Sequence, residues 1–176
     1  MKLKRFLTGV LSAVMALSVC ALPAAAAERQ VTFDVNKKVG SLTITKLEQT
    51  QTQSEAGTGE GSPLAGVTFT AYKIADIKQS YEGGKATLAY DLAATLKNKG
   101  LNDNIFNGTG MIDNKTGLID SKKLYEEINK TFGSLTDDEK AAMKQGDPQT
   151  TDKTGVASFK GLPLGIYMIE ETAAPS

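Results

Sequence analysis

The sequence predicts a mainly β fold, a β-sandwich with a helical segment inserted between its strands. Apolar residues alternate with polar ones toward both ends of the chain, as in Leu42 and Ile44, Ala157 and Phe159, and Tyr167 and Ile169. In the middle the apolar spacing lengthens to about four residues, the spacing of a helix face. The helical stretch occurs once instead of following each strand, which argues against a parallel βα sheet.

The first 27 residues have the layout of a secretory signal: Lys2, Lys4 and Arg5, an apolar run from Phe6 to Val19, then Ala25-Ala26-Ala27. The run is short for a retained membrane helix, and an Ala-x-Ala site follows Pro23, so Glu28 is the expected mature start. Leu17-Ser18-Val19-Cys20 is the weaker alternative, a lipoprotein box with Val19 where a small residue belongs.

Within the expected domain, 28–176, Val31, Phe33 and Val35 alternate as a first strand, and Leu42, Ile44 and Lys46 continue the period after Gly40. Gln49 to Pro63 is almost without apolar residues and reads as a solvated linker. Val67 to Ile74 is rich in β-branched and aromatic residues and reads as a strand. The helical insertion is expected over about 77–151. Leu88, Leu92 and Leu96 predict a short helix ending at Gly100, and Asp120 or Ser121 caps a second that carries Leu124, Ile128 and Phe132. Thr136 and Glu139 form a capping box for a third, stopped by Gly146. Asp152-Lys153-Thr154-Gly155 is a turn between returning strands.

Removing residues 1–27 leaves 17 basic against 20 acidic residues, a net charge of −3, which argues against nucleic-acid or anionic-membrane partners. Cys20 is the only cysteine and histidine is absent, so Ser-His-Asp triads, Cys-His dyads and zinc sites are excluded from the mature chain. No phosphate-cradling glycine motif occurs, and no cofactor is implied. Asn107, Asn114 and Asn129 sit in glycosylation-type sequons, and Asp103, Asp113, Asn114 and Asp120 lack calcium-loop spacing and read as turn formers and caps.

Two charged residues fall on apolar parity: Lys46 with Leu42 and Ile44, and Glu171 with Tyr167 and Ile169. Side chains alternate across a strand, so both are expected to point inward, where each needs a partner. The alternative is a bulge or strand end that turns one of them to solvent.

Tyr167-Met168-Ile169-Glu170-Glu171-Thr172-Ala173-Ala174-Pro175 resembles the E-box, Y-x-[LI]-x-E-T-x-A-P, of Gram-positive sortase-assembled pilins and their Cna protein B-type domains. Gly40 to Lys46, Pro63 to Phe69, and Gly155 to Phe159 with Leu162 to Tyr167 agree with it in the same order. The resemblance implies an immunoglobulin-like sandwich in which a first-strand Lys bonds to a last-strand Asn with loss of ammonia while the E-box Glu carries protons. By motif, Lys46 is then the nucleophile and Glu171 the proton shuttle, with Lys73, on the parity of Val67, Phe69 and Ala71, as rival nucleophile. The acceptor Asn, a Tyr-Pro-Lys pilin motif and an L-P-x-T-G sorting signal are absent, and a further strand is expected beyond Pro175-Ser176.

The resemblance implies a non-enzymatic, secreted, wall-attached fimbrial subunit. Its partners would be other pilin subunits, a class C-type sortase and a host surface protein or glycan. The alternative is a monomeric wall-anchored adhesin that binds its host ligand through the helical insertion. A secreted hydrolase is the third class, and no pair of acids is singled out for it.

Overall fold

This computed structural model describes residues 39–48, 61–82, 85–112 and 119–175. The expected signal, the Val31–Val35 strand and most of the 49–63 linker lie outside those residues.

The fold is mainly β, with antiparallel sheets. Strand β1 (Val39–Thr45) and β7 (Val156–Pro163) form one sheet, with Leu42 opposite Phe159 and Ile44 opposite Ala157. Two short strands, β2 (Leu47–Glu48) and β3 (Ser62–Pro63), pair beside it. The second sheet is built on β4 (Thr68–Glu82), with β5 (Lys85–Leu92), β6 (Gln149–Thr150) and β8 (Gly165–Ala173). Thr68 pairs with both Thr150 and Ala173, and Ala75 with both Leu92 and Ile166. Each residue has only two edges, so β8 occupies one side of β4 while β5 and β6 share the other.

The second sheet is buried on both faces. Phe69, Ala71 and Ile169 meet Leu42, Ala157, Phe159 and Leu162 in the sandwich core. Tyr72, Ile74, Ile166 and Met168, on the other parity, meet the helices. These are α1 (Ala94–Asn98), a 3-10 turn (Asp103–Asn107), α2 (Ser121–Gly133) and α3 (Asp137–Ala141). The molecule is therefore three layers: sheet, shared sheet, helices.

The helical layer follows its caps. Asp120 Oδ1 accepts from the N–H groups of Lys122 and Lys123, which starts α2 so that Leu124, Ile128 and Phe132 are buried on one face. Thr136 and Glu139 exchange both bonds of the capping box.

One expectation is corrected. Leu88 and Leu92 lie on β5, opposite Gln79 and Ala75, and only Leu96 lies on a helix. A spacing of four keeps residues on one side of a strand as well as of a helix, so it could not decide between them. Gly83-Gly84 between two β-forming runs was the overlooked hairpin signal.

Candidate functional site

Lys46 stands where β1 ends and β2 begins. Its N–H donates to the Gly155 carbonyl at 2.8 Å and its own carbonyl accepts from Leu64 N–H at 3.0 Å. Glu171 lies on β8 in register with Phe69, a residue of the sandwich core, so alternation turns its carboxyl toward the first sheet. The two side chains meet: Lys46 Nζ is 2.8 Å from Glu171 Oε2, across 125 residues of sequence, with 30% and 18% of the side chains exposed. The ladder between β4 and β8 is irregular at Thr68/Phe69, yet that bulge does not turn Glu171 outward.

A lysine ammonium and a carboxylate this close are a hydrogen-bonded ion pair, and a proton can pass along that bond.

Lys73 stands elsewhere. It is in register with Tyr167, four residues along β8 from Glu171, and its ammonium pairs with Asp76. Its stem lies over Gly165, where an added Cβ would be 2.7 Å from Lys73 Cε. Tyr167 O–H donates to the Pro163 carbonyl, and burial, with Asp76 adding to it, pushes the phenol up to about 12.

Two features escaped the sequence reading. Glu170, the other E-box carboxylate, faces the helices and accepts from Lys140 Nζ at 2.9 and 3.1 Å. The same ammonium sits 4.9 Å above the centre of the Phe132 ring, which packs edge-on against Tyr72 at 5.3 Å. Burial, then the Glu170 charge, raises the Tyr72 phenol above its usual range. Opposite parity in Glu170-Glu171 was the available signal. The second feature joins the hairpin to α1 and the 3-10 turn: Lys97 Nζ contacts Asp91 at 2.6 Å and Asp103 at 2.8 Å, and Lys78 also pairs with Asp91. The Lys78 and Lys97 ammoniums hold the Asp91 carboxyl down to about 2. Asp103 is thereby more than a turn former, because its Oδ1 also accepts from Leu92 N–H at 2.7 Å.

A family model described as Gram-positive pilin subunit D1, N-terminal domain, matches residues 28–176. Neither the curated proteins nor the solved structures contain a match to the chain.

Proposed function

Since this chain belongs to the family of Gram-positive pilin subunit D1 N-terminal domains and is therefore a subunit of a surface pilus, we propose that its pilus is sortase-assembled, covalently polymerised and used in adhesion. We propose further that Lys46 closes an intramolecular isopeptide bond under the action of Glu171. The observation that carries this second step is the 2.8 Å contact between Lys46 Nζ and Glu171 Oε2.

Transfer of one proton from Nζ to Oε2 turns the ion pair into a neutral amine and a carboxylic acid, and desolvation favours that neutral pair. The amine attacks the side-chain carbonyl carbon of an Asn on a strand following Pro175. A C–N bond forms, the acid stabilises the carbonyl oxygen, and the proton shed by the attacking nitrogen passes through Glu171 to the departing amide nitrogen. The old C–N bond breaks, one ammonia leaves, and Glu171 ends as it began the attack, protonated.

Two placements support an acceptor strand beside β1. Among the described residues β1 pairs with β7 alone. Pro175 packs on Gly66, where an added Cβ would lie 3.3 Å from Pro175 Cβ, and Leu64 of the same loop holds the Lys46 carbonyl. Pro175 and Lys46 thus both contact the 64–66 loop. A strand laid there would cover the pair and supply the desolvation that the reaction needs.

In this reading a class C-type sortase joins the subunits, and the helical layer is the face available to a host surface protein or glycan. A chain extended through the next strand is expected to lose the mass of one ammonia, and Lys46→Ala and Glu171→Ala each to retain the full mass. An extended wild-type chain of full mass overturns the bond.

A further inference from the structure

We propose that the turn 151–155, and Gly155 above all, is the positioning element of the Lys46 site, setting where the amine stands against Glu171. Its consequence for bond formation rests on the isopeptide reading; its geometry does not.

Lys46 has passed the end of the β1 ladder, whose last pair is Thr45 with Val156. What holds it is backbone: Gly155 O on its N–H and Leu64 N–H on its carbonyl. Gly155 has φ +73°, and a Cβ there would lie 2.5 Å from Lys46 O, 3.1 Å from Leu64 N and 3.2 Å from Pro63 Cα. A left-handed φ alone would admit Asn, but the crowding admits no side chain. Three backbone segments cross at this point, and one added carbon must push Lys46 or the 63–64 segment away.

The turn is itself firmly built. Asp152 Oδ1 accepts from Thr154 N–H at 2.8 Å, Thr154 Oγ1 at 2.6 Å and Val156 N–H at 3.1 Å. Gly155 N–H donates to Asp152 O at 2.9 Å. Thr151, 4% exposed, receives Val67 N–H on its hydroxyl at 3.0 Å and donates that hydroxyl to Leu64 O at 2.8 Å. The same five residues therefore grip both Lys46 and the loop on which Pro175 rests. A shift of about 1 Å carries a 2.8 Å contact out of hydrogen-bond range, so the amine is only as well placed as this turn. Lys140 supplies the contrast: it rides on α3, and its pairing with Glu170 has no part in the turn.

The test is NMR of the chain labelled with 15N-lysine, the two Nζ signals being assigned by Lys46→Arg and Lys140→Arg. In the wild type, Glu171→Gln shifts the Lys46 signal and Glu170→Gln the Lys140 signal. Gly155→Ala is expected to abolish the response of Lys46 and preserve that of Lys140, which also certifies the fold. A Lys46 response unchanged in Gly155→Ala overturns the proposal. Should Gly155→Ala not fold, Asp152→Ala loosens the turn without adding an atom; it is expected to weaken the Lys46 response, and Asp152→Asn, which keeps the Oδ1 acceptor, to restore it. An undiminished response in Asp152→Ala overturns the proposal equally. In the extended chain, Gly155→Ala is expected to slow ammonia loss about tenfold or more. If the extended wild type releases no ammonia, the isopeptide reading fails, and the Lys46 signal still decides the positioning.

Discussion

Glu170 and Glu171 are neighbours on one strand, each paired with a lysine at 2.8 to 2.9 Å, and they differ in what surrounds the pair. The Glu170 pair faces the helices, where Lys140 is carried by α3 and lies over Phe132. The Glu171 pair faces the sandwich, where Lys46 sits between β1 and β2, held by Gly155 and Leu64. The helical-side pair fastens a layer to the sheet. The sandwich-side pair lies at the end of β1, which among the described residues pairs with β7 alone. The same two functional groups thus serve packing on one face and, under the proposed isopeptide chemistry, form the reacting pair on the other.

The sharpest way to separate the faces is to hollow each core. Phe159→Ala and Phe132→Ala, buried in the sandwich and helical clusters respectively, should each cost about 3–5 kcal/mol in urea unfolding. Only Phe159→Ala should disturb the Lys46 signal; equal disturbance by Phe132→Ala would mean that the layers are not independent. Next in size, double-mutant cycles on Lys46/Glu171 and Lys140/Glu170 should each return a coupling of about 1 kcal/mol. Extension by the acceptor strand should raise the cost of Lys46→Ala and of Glu171→Ala, and leave those of Lys140→Ala and Glu170→Ala unchanged, because a crosslink restrains the unfolded chain. Thr136→Ala, which removes the cap of α3, should cost about 1 kcal/mol and leave the Lys46 pair intact.

The smallest effects are in pH. The Asp91 carboxyl is held down to about 2 from 3.8, so its contribution is present above 3.8 and is lost as pH falls from 3.8 toward 2. Asp91→Asn should flatten the acid limb of Tm against pH. The Tyr167 phenol is raised from 10.0 to about 12, so its contribution is present below pH 10 and is lost between 10 and 12. Tyr167→Phe should flatten that alkaline limb.

Much of this comparison was legible in the sequence. Period-two parity put Lys46 and Glu171 on the inward face and caps located α2 and α3, because both signals are local and depend on one element at a time. The two-faced burial of β8 was harder to see. Ile166-Tyr167-Met168-Ile169 is a continuous apolar run, the mark of a strand covered on both sides, yet alternation read only Tyr167 and Ile169. Lys140 and Gly155 were out of reach for another reason. Each acts through a contact made only when distant segments meet, and no periodicity encodes that. Lys73 shared the parity argument with Lys46, but parity cannot say how far along a strand a partner lies, and the register sets Lys73 opposite Tyr167.

The central claim is that Lys46 is the lysine that reacts, with Glu171 beside it. Tandem mass spectrometry of a proteolytic digest of the extended chain tests it most directly. The expected product is a branched peptide, lighter by one ammonia than its two parts, joined through Lys46 and absent from Glu171→Ala. A branch through Lys73, or linear peptides covering Lys46 in full yield, would contradict it.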